Sequence, residues 1–339
     1  MKKTLNNLKK NSWIIACHKN EIQKNNDFKT LEYFNEPVII YNIKNKYLAF
    51  KNVCPHRGSK IKTENRGNQV LNCIYHGWAF NKEGKLISGP NLNEAFSKKQ
   101  IKNISLDKMK IENCGLFIFI TNINNKITLK DYLGDHYTKI EDLSKNYGKL
   151  VYSNKYTWKC NWKIAIENSI DEYHGPILHK GTFSKILKLD PSYTYSKKIS
   201  EMEMPLKTNY ISFFKKYLKE NKIKLNDKYK HTYIYPISTI ASTMGIFCYI
   251  QKYLPVDKNK TLIETDIFIP SINSKNKFIS NTFLKNSAVK FNDEVFLEDK
   301  EICENLNKNI VKGFKRSILG KFEQRIKFFR KILKDNKIE

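Results

Sequence analysis

Two short loops constrain this chain more than anything else in it. Cys54-Pro55-His56-Arg57-Gly58 and Cys73-Ile74-Tyr75-His76-Gly77-Trp78 each offer one thiolate and one imidazole, with sixteen residues, 57 to 72, between the two ligand pairs. Two sulfur and two nitrogen donors in this arrangement suit a [2Fe–2S] cluster in which Cys54 and Cys73 hold one iron and His56 and His76 the other. Neutral imidazoles in place of thiolates raise the reduction potential to roughly −150 to +300 mV. Gly58 and Gly77 follow the ligands, where the backbone must turn tightly and can aim N–H groups at sulfur. A structural zinc site uses the same residue types, but it spaces its cysteines by two to four residues and groups its histidines together. Here each loop mixes the two.

Around these loops, from about Trp13 to Asn122, runs a pattern of short strands with turn punctuation: Pro37 to Tyr41, Tyr47 to Asn52, Ala79 to Asn81 and Gly115 to Thr121. This predicts a small all-β domain over residues 1–125. The polar stretch 126–150 reads as a connecting segment. A second domain, 151–339, is expected to be α+β, with a helical segment near Trp162 to His174, several strands between Tyr193 and Pro270, and amphipathic helices at Asp293–Val311 and Ser317–Leu333.

A second group of candidate ligands lies in that domain. His174 and His179 are five residues apart, which on a regular helix turns them about 140° from each other. Gly175 and Pro176 lie between them, and a proline there distorts the helix enough to aim both rings at one metal. Asp171, three residues before His174, can accept a hydrogen bond from the ring nitrogen that faces away from a metal. A two-histidine site for oxygen chemistry needs one carboxylate. On the helix near 300, Val295, Phe296, Ile302, Cys303, Leu306 and Ile310 fall within about 60° of Asp299, which sits at the centre of the apolar stripe. Glu294, Glu298, Glu301 and Glu304 point away and read as a solvated face. A buried aspartate calls for a cation, either a metal or a lysine. By itself the histidine pair fits two core histidines as well as a metal site.

The two cluster loops match the Rieske domain pattern without a departure. Asn161-Trp162-Lys163, Glu167-Asn168 and Asp171-x-x-His174-x4-His179, with Glu298-Asp299 before Ile302-Cys303-Glu304, resemble the catalytic domain of Rieske non-haem iron oxygenases, the aromatic ring-hydroxylating dioxygenase alpha-subunit family. The resemblance covers most of the chain and is too loose to use between Thr182 and Lys230. It implies a helix-grip catalytic domain, its antiparallel sheet flanked by helices. It also implies His174, His179 and Asp299 as ligands of a mononuclear Fe(II), and Asp171 as the bridge to the cluster. The implied activity is O2-dependent hydroxylation or oxidative demethylation of a small organic substrate, an aromatic one among the candidates. An aspartate at 171, where some quaternary-ammonium oxygenases carry glutamate, leans toward the aromatic type. The implied assembly is a homotrimer in which the cluster of one chain serves the iron of the next. The alternative is a Rieske-type electron carrier without oxygenase activity, which needs only about the first 125 residues.

No Gly-x-Gly-x-x-Gly fingerprint follows a strand, so electrons must come from a separate reductase, with or without a ferredoxin. The formal charge of +28 invites a nucleic-acid reading, but only five of the 61 basic residues are arginine, the side chain that best fits phosphate. A solvated lysine surface, with no nucleic-acid partner, is expected. Met1-Lys2-Lys3 is followed by too short an apolar run for an export signal, and Thr232 to Gln251 reads as strand, turn, strand rather than a membrane span. Seven widely spaced cysteines fit a cytoplasmic protein without disulfides. His18, His136 and His231 read as surface or satisfied core histidines, and Lys321, Arg325 and Lys331 as a solvated face of the last helix.

Overall fold

Runs of β-branched and aromatic residues broken by two-residue turns build the first of two units in the computed structural model, which describes residues 2–271, 277–314 and 317–338. This unit, Lys9–Leu129, carries β1 (Ile14–His18), β2 (Asp27–Tyr33), β3 (Glu36–Ile43), β4 (Lys46–Lys51), β5 (Arg66–Asn68), β6 (Ala79–Phe80), β7 (Leu86–Ser88), β8 (Lys110–Cys114) and β9 (Phe117–Thr121). Their antiparallel sheets run β1-β9-β8, β4-β3-β2-β5 and β6-β7. The β2–β3 and β3–β4 turns, Phe34-Asn35 and Lys44-Asn45, have positive φ at every residue. That is the mirror-image turn whose twist matches its flanking strands. Phe28, Ile39, Tyr41, Phe50 and Trp78 pack with Cys54 and Cys73 into one core, so both cysteines are anchored in the part of the unit that resists deformation.

The second unit, Met1–Leu8 with Lys130–Glu339, is built on a seven-stranded antiparallel sheet. Its strands are β10 (Lys149–Trp158), β11 (Ser192–Tyr195), β12 (Ile199–Pro205), β13 (Lys228–Ile234), β14 (Ser238–Thr243), β15 (Phe247–Asp257) and β16 (Lys260–Ile269), in the order β10-β16-β15-β14-β13-β12-β11. Residues of β14 and most of β16 are buried in succession rather than alternately, the mark of a sheet covered on both faces. The helix Lys277–Val311 packs on β10, β16 and the helix Trp162–Ser169. The expected α+β, helix-grip architecture is therefore present. No helix among the described residues is long and apolar enough to cross a membrane.

Several boundaries differ from the sequence reading. The helix expected at Asp293–Val311 begins at Lys277, because Asn281, Asn286 and Ser287 blur the periodicity of its first turns although Leu284 and Ala288 are buried there. The helix expected at Ser317–Leu333 is a 3₁₀ turn, Lys321–Glu323, followed by Gln324–Asp335. Thr232 to Gln251 contributes to three strands rather than two. The stripe around Asp299 is also narrower than the helical wheel gives. Phe296, Cys303 and Asn307 are buried with it, whereas Ile302, Leu306 and Ile310 are exposed, because the buried line runs along one side of Asp299 and leaves them on the other flank.

Candidate metal centres

The cluster loops repeat one local design. In each, the cysteine N–H donates to the carbonyl five residues on, Cys54 to Ser59 at 2.7 Å and Cys73 to Trp78 at 2.8 Å. In each, the glycine N–H returns to the cysteine carbonyl, Gly58 to Cys54 at 2.9 Å and Gly77 to Cys73 at 3.0 Å. Both glycines have positive φ, 77° and 67°, a conformation that costs other residues roughly 1–2 kcal/mol. The loops bring the His56 and His76 rings to 4.6 Å between centroids, and His56 stacks on Trp78 at 4.5 Å. The cysteines are buried, while the histidines are half-buried.

Several atoms fit a bound cluster. His56 Nδ1 is buried with no hydrogen-bond partner, which is costly unless something else takes its lone pair. Burial pushes the Cys54 thiol up to about 11, so only a metal cation would hold it as thiolate at neutral pH. The Tyr75 N–H points at Cys73 Sγ from 3.5 Å. The four predicted ligands are thus brought together.

In the second unit the predicted metal ligands also converge, by a route the sequence reading did not anticipate. The helix capped by Asn161 stops at Ser169. Asp171 Oδ1 then accepts from the Tyr173 N–H at 2.7 Å, a turn that competes with further helix. Helix resumes for one turn, Gly175–Leu178, with His174 as its N-cap and His179 as its C-cap. Pro176 therefore starts a new helix and does not kink an old one. The two Nε2 atoms end 3.0 Å apart, and Asp299 Oδ1 lies 3.2 Å from that of His179 and 3.7 Å from that of His174.

Asp171 Oδ2 lies 3.1 Å from His174 Nδ1, without the alignment of a hydrogen bond. Proximity was expected, though through a shared helix face; a turn supplies it instead. A further residue was missed. Glu298, read as part of a solvated face, sits 2.6 Å from His179 Nδ1 and accepts from Thr182 Oγ1 at 3.1 Å. A carboxylate there requires the proton on Nδ1, which leaves the Nε2 lone pair free.

Lone pairs from two imidazoles and a carboxylate thus meet at one point, and Asp299 Oδ1 has no hydrogen-bond partner. Such an arrangement repels itself unless a cation lies between the donors, and its two histidines and one carboxylate are the donor set of non-haem Fe(II) sites. Burial lowers the basicity of His179, but Asp299 and Glu298 outweigh it and raise the pKa above the usual histidine value. A proton drawn in this way stands in for a metal's charge. His174, His179 and Asp299 are also the cluster of potential metal ligands found among the described residues.

His174, His179, Asp299 and Asp171 open onto a cavity of about 710 Å³, within the range of small-molecule sites. Phe183, Phe214, Tyr229, Phe247 and Tyr249 form much of its wall. Beside it lies a polar network around Arg325, a residue expected on a solvated face. Arg325 is fully buried, its Nη1 donating to Glu172 Oε1 at 2.7 Å and its Nη2 3.1 Å from His231 Nδ1. Burial and the adjacent guanidinium hold His231 well below its usual pKa. His231 is thus a satisfied core histidine, while Arg325 is not a surface residue.

Residues 12–107 match the Rieske [2Fe-2S] domain family, and residues 144–336 match the ring hydroxylating alpha subunit catalytic domain. The oxygenase subunit of carnitine monooxygenase from Escherichia coli (strain K12) is 30% identical over 188 residues, 53% of this chain and 48% of that protein. The large subunit of anthranilate 1,2-dioxygenase from Acinetobacter baylyi is 31% identical over 183 residues, 51% of this chain and 39% of that one. The matches thus span less than half the length of these relatives. Among solved structures, a quaternary ammonium Rieske monooxygenase superposes with a TM-score of 0.78 at 22% identity, covering 96% of this chain and 88% of the other. A naphthalene 1,2-dioxygenase gives 0.78 at 20%, covering 100% and 90%.

Proposed function

The chain belongs to the family of ring-hydroxylating oxygenase alpha subunits, and on that premise we propose that it is the oxygenase component of an O2-dependent system acting on a small organic molecule. The observation that carries this is Asp299 Oδ1, buried, unpartnered and facing two imidazole nitrogens at the wall of a substrate-sized cavity. An electron carrier has no use for such a site. Bound in these sites, the cluster would supply single electrons and the mononuclear iron the chemistry of O2 activation. Cys54, His56, Cys73 and His76 would hold the cluster, and His174, His179 and Asp299 the iron. Electrons would come from a separate reductase, directly or through a ferredoxin.

The aromatic walls suit a flat ring by stacking, or a quaternary ammonium group by cation–π attraction. Both classes have precedent in the names of the relatives. The test is aerobic turnover with a surrogate reductase against aromatic, N- or O-methylated and quaternary-ammonium substrates, following product and O2 together. Product with matched O2 uptake from one class is expected. Cluster reduction and reoxidation without product from any class would favour the carrier.

Two residues are assigned roles beside the iron. Glu298 orients His179, so Glu298→Ala is expected to weaken iron retention about 10- to 100-fold, read as iron left after dialysis against graded chelator. Asp171 is the bridge through which an electron from the cluster of a neighbouring copy would reach His174. Asp171→Asn should keep both metal centres and lose at least about tenfold in turnover; full turnover with both centres present would rule out the bridge.

A further inference from the structure

Lys62 is an anomaly in the first unit. It is 2% exposed, and its Nζ donates to Gln69 Oε1 and Asn72 Oδ1, both at 2.8 Å. Its position is built in from the backbone. Asn52 Oδ1 accepts from the Ile61 and Lys62 N–H groups at 3.0 Å each, and Asn52 Nδ2 donates to the Lys62 carbonyl at 2.7 Å. Two neutral amides satisfy hydrogen bonds but supply no charge, and among the described residues no carboxylate forms an ion pair with this ammonium. The other deeply buried lysines differ: Lys29 pairs with Glu21 at 2.8 Å and Lys252 with Glu264 at 2.7 Å. A buried cation without an ion-pair partner is costly.

One of its two amide partners, Asn72, precedes Cys73, and the charges that act on Lys62 from a distance are the exposed Glu64 and then Cys73. A cluster of two ferric ions, two sulfides, two thiolates and two neutral imidazoles is formally neutral. One electron, delivered by an external carrier, makes it an anion. A second counter-charge, beyond that of the exposed Glu64, therefore exists once the electron has arrived.

We propose that Lys62 is the fixed positive charge that stabilises the reduced form of the cluster held by Cys54, His56, Cys73 and His76, and so sets its potential. This rests on the cluster assignment made above but on no assumption about oxygenase activity. A buried unit charge next to a redox centre at an effective dielectric of about 20 changes the reduced-to-oxidised ratio by roughly tenfold.

The test is a mediated redox titration of the holoprotein, followed by the electron paramagnetic resonance of the reduced cluster. Lys62→Met keeps the length and apolar stem of the side chain and removes its charge. Lys62→Gln keeps a hydrogen-bonding end if the methionine variant folds poorly. Both should form the cluster with unchanged spectra and show midpoint potentials lower by about 59 mV, the one-electron equivalent of that tenfold change. Lys60→Gln, which removes an exposed lysine two residues away, should leave the potential where it was. Unchanged potentials in the charge-free variants would give Lys62 a purely structural role and overturn the inference while leaving the cluster reading intact. A parent protein whose reduced form lacks the signal of a histidine-ligated cluster would overturn both.

Discussion

An Asp299→Ala variant is expected to lose the mononuclear iron and all measurable product while keeping its cluster. Asp299 supplies the only carboxylate oxygen of the converging trio, at 3.2 and 3.7 Å from the two histidine nitrogens. Removing it leaves two neutral donors, too few for a hard Fe(II) ion that favours a carboxylate beside imidazoles. The cluster ligands lie in the other unit, so the spectrum of the reduced cluster should not change. Total iron should fall by the share of one mononuclear site, and turnover by more than the roughly hundredfold typical of losing an outer partner of a ligand. Asp299→Asn tests the role of charge, because the amide keeps an oxygen of similar reach without the negative charge. Iron content and product formation together check the prediction; an alanine variant that kept both would place the metal elsewhere.

The largest effect on stability is expected from Arg325→Met. The guanidinium is fully buried and is held by Glu172, Ser200 and both ends of His231. Methionine fills part of the volume but leaves the Glu172 carboxylate, 3% exposed, without its cation. Breaking a buried pair from one side costs about 3–5 kcal/mol. Urea unfolding should show a lower midpoint at unchanged slope. The double variant Arg325→Met with Glu172→Gln should recover part of the loss, because no unpaired charge remains. A loss below about 1 kcal/mol in the single variant would mean that Glu172 is neutral in the folded chain, a state that burial and the neighbouring Asp171 favour by pushing its pKa upward.

The cluster loops were legible in the sequence because their information is local. Ligand, turn and glycine all fall within six residues, and hydrogen bonds inside each loop fix the geometry. Asp299 was legible for a different reason: a charge centred among Phe296 and Cys303 breaks the amphipathic pattern. Glu298 was not. It lies beside the buried stripe, and its partner His179 comes from 119 residues earlier, a contact that no periodicity encodes. Arg325 was misread because the last helix begins at Gln324. Its buried face is then Arg325, Ile326, Phe329, Ile332 and Leu333, with the arginine in the first turn of that face. Strands β3 and β4 were legible but β2 and the tight turns at Phe34-Asn35 and Lys44-Asn45 were not, since those turns reach positive φ without a glycine.

The one-turn helix Gly175–Leu178, with a histidine at each end, has a consequence for coordination chemistry. His174 and His179 would form a chelate whose ends are joined by four residues of hydrogen-bonded backbone, with Glu298 holding the His179 ring. Asp299 would be the outlying arm, carried on the separate helix Lys277–Val311. Metal exchange should therefore open at the carboxylate first, and a one-residue insertion between the histidines should abolish binding where the same insertion in the preceding loop is tolerated.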